Sequence, residues 1–164
     1  MLPDVYFPRI WDIPYSFFEE NDIRGVILDI DGTLAPDGAP DPDMRAAAWV
    51  VGLEAHGIRA AIVSNNNEGR VAPFAEKLGI RYQSKAFKPS LRTFGETVDT
   101  VGVDSQYIAV IGDQLFTDMQ YAKNAGCLGI MVEHEWPDIY PFVKFKRLLE
   151  APFMPYIRKK KSGA

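Results

Sequence analysis

Gly25-Val-Ile-Leu-Asp29-Ile-Asp31-Gly-Thr-Leu34 reads as a buried strand that runs into two acids. The apolar run Val26-Ile-Leu28 has the length of one strand and suits the interior of a parallel sheet, where both faces are covered. Such a strand delivers Asp29 and Asp31 to its carboxyl end, where open α/β sheets hold their ligands. Spacing by two turns both carboxylates to one side. Acids that close repel each other unless a cation or a shared proton relieves them. Gly32 permits a tight turn and a close approach of backbone to ligand, and Thr33 can bond its own turn or a phosphate.

The same pattern recurs outward from this stretch. Arg59–Val63 is a second strand and runs into Ser64-Asn-Asn-Asn67, polar and turn-prone. Arg81–Gln83 is a short strand, Tyr107–Ile111 is a buried one ending in Gly112-Asp113-Gln-Leu-Phe-Thr-Asp118, and Leu128–Val132 is the last. Helices are predicted between them. The first starts at Asp41-Pro42, as N-cap and first helical residue, and ends at His56-Gly57, with Met44, Ala47, Ala48 and Val51 as its apolar face. Others follow over 68–78 (Pro73 near the first turn), 89–101 (Leu91, Phe94, Val98 and Val101 at helical spacing), up to Ala125, and over 138–150. Strands alternating with helices predict an α/β, Rossmann-like three-layer sandwich around a central, mainly parallel sheet.

A chain of 164 residues with 47% apolar content is expected to form one domain with a real core, here 1–150 followed by a basic tail, 151–164. Residues 1–22 hold Tyr6, Phe7, Trp11, Tyr15, Phe17 and Phe18, interrupted by Pro3, Pro8 and Pro14; they are expected to pack on that domain, with a short helix near 14–20. No stretch approaches the ~20 apolar residues needed to span a bilayer, and Met1-Leu-Pro-Asp-Val lacks the basic start of a secretion signal. The lone Cys127 excludes an internal disulfide and fits a reducing, cytoplasmic setting; its apolar neighbours mark it as a packed residue. The net charge of −4 hides an asymmetry: Phe142–Ala164 holds seven cations against Glu150, so it carries +6 and residues 1–141 carry −10. The acidic body argues against a nucleic-acid partner. Its basic end, interleaved with Phe142, Phe145, Phe153 and Tyr156, is either a solvated helix face with a loosely held tail beyond Pro152 or a peripheral contact with an anionic membrane at its inner face. Nothing in the chain speaks to the oligomeric state.

Each polar group at a strand end is weak alone; their order and shared placement are not. Asp29-Ile-Asp31-Gly-Thr-Leu34, Ser64, Lys88 and Gly112-Asp113…Asp118 resemble, in sequence order, the four motifs of the haloacid dehalogenase (HAD) superfamily of phosphohydrolases. Val63-Ser-Asn-Asn-Asn-Glu68, Lys85-Ala-Phe-Lys-Pro89 and Val110-Ile-Gly-Asp-Gln-Leu-Phe-Thr-Asp118 resemble its YqeG-type branch (subfamily IIIA), which usually has Asn where this chain has Gly32. The resemblance implies a Mg²⁺-dependent phosphatase with Asp29 as nucleophile, Asp31 as general acid and base, and Lys88 offsetting charge. It implies metal ligation by Asp29, Asp113 and the main-chain carbonyl of Asp31, phosphate binding by Gly32, Thr33, Ser64, Asn65 and Lys88, and Asp118 in support. Divalent cations of this kind take hard oxygen ligands and relieve the repulsion between two anionic reactants.

Caps in this superfamily are inserted between the first and second or the second and third motifs. Asp31 to Ser64 spans 33 positions and Ser64 to Lys88 spans 24, each consumed by a core helix and strand, so no cap domain is expected. An open site suits a phosphorylated substrate that is large or membrane-borne, and the branch's relatives include phosphatidylglycerophosphate phosphatases. A small-molecule (sugar or nucleotide) phosphatase and a non-enzymatic binding module on the same fold remain as alternatives.

Overall fold

In the computed structural model, which describes residues 2–160, six strands form one sheet. They are β1 Val5–Phe7, β2 Gly25–Leu28, β3 Arg59–Val63, β4 Arg81–Gln83, β5 Ile108–Gly112 and β6 Leu128–Val132, in the order β1-β6-β5-β2-β3-β4 with every pairing parallel. Residues 161–164 of the basic tail, Lys161 among them, lie outside the described residues. β1 was not expected; three residues between prolines carry too short a pattern to read, and their pairing with β6 is what makes them a strand.

Period-two alternation divides the central strands between two cores. Val26 and Leu28 of β2, Ile62 of β3, Ala109 and Ile111 of β5, and Ile130 and Val132 of β6 face one core, with α1 Tyr15–Glu20, α2 Met44–Ala55 and α3 Glu68–Leu78 supplying much of its cover. Ile27, Ala61, Val63, Ile108 and Val110 face the other, under α4 Phe94–Val101 and α5 Gln120–Ala125. The links 31–64 and 64–88 are spent on α2 with β3 and on α3 with β4, so no cap is inserted there.

The N-terminal aromatics join the first core: Phe7, Phe17 and Phe18 are buried, Tyr15 Oη donates to Trp49 O at 2.9 Å, and Trp49 Nε1 donates to Ile13 O at 2.9 Å. This packing corrects the expected face of α2. Ala46, Trp49, Val50 and Leu53 point inward, while Met44 and Val51 are 87% and 67% exposed. Both sets have i, i+3, i+4, i+7 spacing, and the one holding the two largest side chains, Trp49 and Leu53, has the most area to bury. The helix also starts later than expected, on Asp43, whose side chain accepts from Arg45 N at 2.8 Å. Pro73 lies inside α3 rather than in its first turn, and α4 begins at Phe94, leaving Leu91 exposed. Cys127 is buried, and burial pushes its thiol up to about 11, as befits a packed side chain.

The chain ends in α6 Pro141–Glu150 and α7 Met154–Ile157. Ile157 is fully buried beside Tyr6, Leu115, Met119 and Met131, Arg158 Nε donates to Glu133 Oε1 at 2.7 Å, and Lys160 Nζ donates to Pro3 O at 3.1 Å. The stretch after Pro152, expected to be loose, is pinned as far as Lys160.

Candidate active site

The strand order reverses between β2 and β5: the chain builds outward through β3 and β4 on one side and through β5 and β6 on the other. The crevice at the carboxyl ends of strands at such a switch point is where ligands bind. Asp29 leaves β2 there, its N–H donating to Ile111 O at 3.2 Å, and Asp113 leaves β5 beside it. A single π-helical turn, Leu115–Met119, then brings Asp118 back over the strand end. One carboxylate oxygen from each of Asp29, Asp113 and Asp118 lies within 4.8 Å of the others. Two glycines make the cluster possible. A Cβ at Gly32 (φ +77°) would sit 2.0 Å from Asp113 Oδ2, and one at Gly112 would sit 2.3 Å from Asp118 Cγ.

Lys88 reaches this cluster from the loop before α4. Its buried Nζ donates to Asp118 Oδ1 at 2.7 Å and to Asp29 Oδ1 at 2.9 Å. Burial opposes its charge, but the carboxylates of Asp118 and Asp29 outweigh that and hold its pKa above the ordinary lysine value. Asn65 fixes the lysine's backbone: its Oδ1 accepts from Lys88 N at 2.7 Å and its Nδ2 donates to Lys88 O at 2.8 Å. The Asn65 side chain thus positions Lys88, whereas the group expected at the phosphate is the main-chain N–H around Asn65.

Asp31 stands apart from the three clustered acids. Its Oδ1 accepts from Arg70 Nη2 and Gly38 N, both at 2.8 Å, and its Oδ2 accepts from Asn66 Nδ2 at 2.9 Å. Ser64 is buried, and its Oγ accepts from Asn66 N at 3.2 Å. The amides of Gly32 and Thr33, expected to hold phosphate, close the turn instead, donating to Ala35 O at 2.8 Å and Ile30 O at 3.1 Å. A turn this sharp uses its own N–H groups. Thr33 Oγ1 is buried without a partner among the described residues.

Four residues at the site were not singled out from sequence: Asn66, Arg70, His134 and Arg147. Arg70 lies in the first turn of α3 and reaches back to Asp31. Arg147 comes from α6: its Nη1 donates to Asp113 O at 2.6 Å and to Glu150 Oε2 at 3.1 Å, and its Nη2 pairs with Asp113 Oδ2. Glu150 is held in turn by Leu115 N at 2.8 Å. His134 Nε2 lies 3.1 Å from Asp138 Oδ1 and 3.9 Å from Asp113 Oδ2, and burial, reinforced by Arg147, holds its pKa below the usual value. The one available sign was electrostatic: a basic segment in an acidic chain has an acidic site to face.

The acids themselves call for a cation. Burial drives Asp29 up to about 7, with Lys88 opposing and Asp118 adding. Burial also raises Asp113 well above the carboxylate range despite Arg147, and its Oδ1 is buried with no partner among the described residues. Three convergent carboxylates with an unsatisfied oxygen among them could hold a metal ion through hard donors, and the chemistry of the set fits a divalent cation.

Comparison with known proteins agrees with this geometry. The HAD-hydrolase-like family profile matches residues 86–135, which include Lys88, Asp113 and Asp118. The chain is 33% identical over 159 residues to the probable phosphatase YqeG of Bacillus subtilis, covering 97% of this chain and 92% of that protein. Among solved structures, it resembles the cobalt-bound deoxy-D-mannose-octulosonate 8-phosphate phosphatase of Haemophilus influenzae. The TM-score is 0.56 at 23% identity, over 77% of this chain and 75% of the other. The 3-deoxy-D-manno-octulosonate 8-phosphate phosphatase of Yersinia pestis gives a TM-score of 0.54 at 18% identity, over 71% and 77%. At those identities the two structures speak to the fold.

Proposed function

This chain belongs to the HAD-type phosphatases of the YqeG branch, and on that footing we propose that it is a Mg²⁺-dependent phosphomonoesterase working through an aspartyl phosphate on Asp29. We propose further that its substrate is a phosphate on a large or membrane-borne molecule, with phosphatidylglycerophosphate as the first candidate. The observation that carries the reading is the convergence of Asp29, Asp113 and Asp118 around buried Lys88 at the sheet's switch point.

The carboxylates of Asp29 and Asp113 and the main-chain carbonyl of Asp31, with Asp118 in support, would hold a divalent cation, which would supply charge neutralisation at the phosphoryl group. Lys88 fixes Asp29 through Oδ1, leaving Oδ2 as the oxygen that attacks phosphorus while the ester P–O bond breaks. Asp31 gives its proton to the departing alkoxide. It then takes one from the water that attacks phosphorus and frees Asp29. The Oδ2 of Asp31, bonded only to Asn66, is the oxygen suited to that exchange, while Arg70 and Gly38 anchor Oδ1. Ser64 lies beside Asn66 to accept or donate at the phosphate. Lys88 also offsets the charge gathering on the phosphoryl oxygens.

The absence of an inserted cap favours a substrate that itself excludes water, as a lipid headgroup at an interface does. No helix among the described residues is long and apolar enough to cross a membrane. On the membrane-borne-substrate reading, we propose that the protein acts in the cytoplasm, peripheral to the membrane's inner face. The test is phosphate release from a panel that includes phosphatidylglycerophosphate and p-nitrophenyl phosphate, with Mg²⁺ or with chelator, for wild type and Asp29→Asn. Mg²⁺-dependent release that Asp29→Asn lowers by at least about 10³-fold is expected. Equal turnover by the two proteins would remove Asp29 as nucleophile.

A further inference from the structure

Helix α6 is amphipathic in the inverted sense. Arg147 and Glu150 face the protein and the strand ends, and Lys146 turns inward enough for its Nζ to donate to Thr117 Oγ1 at 3.0 Å and Gln114 Oε1 at 3.1 Å. Phe142, Phe145, Leu148 and Leu149 share the opposite face, and Phe142 and Leu148 are 67% and 70% exposed. Ile139 and Tyr140, just before the helix, are exposed as well. A surface helix that turns its charges in and its large apolar residues out has a partner to meet.

We infer that the outer face of α6 is a docking face for an anionic lipid surface, which it enters with Phe142, Phe145, Leu148 and Leu149. Two features select that occupant. Arg147 is paired inward with Asp113 and Glu150, Arg158 with Glu133 and Lys160 with Pro3 O, which leaves Lys144 and Lys146 as the cations that border the apolar face on α6 and that an anionic surface attracts. A second copy docking face to face would bring two sets of Lys144 and Lys146 together, which their charge opposes. Lys146 Nζ sits 4.7 Å from the centroid of the Phe142 ring and exposed Lys144 lies further along the helix; cations bordering aromatics are what an interfacial helix presents to headgroups. Because the inner face of α6 touches Asp113, docking would hold the acid cluster about one helix diameter, ~10 Å, from the surface. The docking face is thus α6 itself and not the cations after Pro155, of which Arg158 is bonded to Glu133 and Lys160 to Pro3.

The inference rests on the membrane-borne-substrate reading above, and its test is separable from it. The full chain is co-sedimented with phosphatidylglycerol–phosphatidylcholine vesicles and with phosphatidylcholine vesicles. The variants are F142E/F145E and, separately, L148E, with V51E on α2 as an exposed apolar control. Binding to the anionic vesicles alone, weakened at least about tenfold by either α6 variant and unchanged by V51E, is the expected result. No vesicle binding by wild type, or equal loss in V51E, overturns it. So does a concentration-dependent dimer in sedimentation velocity that F142E/F145E dissolves without any vesicle binding, which would assign the face to a second copy. p-Nitrophenyl phosphate turnover separates the two claims. Turnover without vesicle binding ends the docking face and leaves the phosphatase. Vesicle binding without phosphate release from any monoester ends the substrate reading and leaves the docking face.

Discussion

The carboxyl ends of β2 and β5 and the helix α6 meet at Asp113, and they are built on opposite rules. At the strand ends, polar groups appear within a few residues of buried strands, and there is one place for them to go, the crevice at the switch point. In α6 the pattern offers two faces, and the structure takes the one that apolar burial would not choose: Arg147 and Glu150 inward, Phe142 and Leu148 outward. A strand constrained on both faces makes its chemistry legible. A helix at the edge of a site is placed by the charge it answers.

If the strand-end cluster carries the chemistry and the C-terminal helices carry access, changes in the two regions should separate. The largest effect is expected at Lys88, which bridges two acids. K88M should lower turnover by about 10²–10³-fold. Breaking its buried pairs with Asp29 and Asp118 should cost about 3–5 kcal/mol in urea unfolding. Turnover close to wild type would detach Lys88 from the chemistry and blur the contrast between the regions.

Next comes Ile157, the anchor of the C-terminal segment. I157A should lower stability in urea unfolding by about 2–4 kcal/mol, since it opens a cavity at a fully buried site. p-Nitrophenyl phosphate turnover below the melting transition should stay near wild type. An unchanged unfolding midpoint would return the tail to the loose state that its composition suggests.

Arg147 sharpens the comparison, because it is where the later region reaches into the earlier one. Its guanidinium occupies Asp113, a carboxylate that a divalent cation at the acid cluster would also use. R147M should therefore tighten Mg²⁺ or Mn²⁺ binding in titration calorimetry by about tenfold, or ~1.4 kcal/mol. Weaker binding would mean that Arg147 organises Asp113 for the ion and does not compete with it.

A pH slope tests the acid cluster itself. Asp29 is raised from 3.8 to about 7, so the folded, metal-free protein keeps a proton that the unfolded chain gives up. The Asp29 contribution to stability should be fullest below pH 3.8 and decline as pH rises to about 7, where it levels off. Unfolding midpoints in chelator across that window should show the decline, and Asp29→Asn should flatten it. A rising slope attributable to Asp29 would mean that its carboxylate is stabilised by Lys88 more than it is penalised by burial.

The parallel sheet and its order of motifs could be read from the chain because period-two burial and the residues at strand ends are local signals. Asp29, Ser64 and Asp113 each stand one residue after a strand, and Lys88 lies in the loop before α4. The face of α2 could not be read: two stripes of equal spacing compete there, and the aromatic segment that selects Trp49 lies some thirty residues earlier. Nor could the roles of Asn65 and of the Gly32 and Thr33 amides, which depend on which hydrogen bonds the turns use for themselves.

By itself the sequence determined an α/β fold with acids at the ends of its central strands, since hydrophobic periodicity and strand-end polarity are properties of neighbouring residues. Only the tertiary structure decided that Asp118 and not the side chain of Asp31 completes the acid cluster, that Arg70 and Arg147 enter the site, and that α6 shows its apolar face to solvent. Those outcomes turn on electrostatic balance among groups up to 118 positions apart, from Asp29 to Arg147, and buried charge is settled by whichever partners the fold brings within a few ångströms.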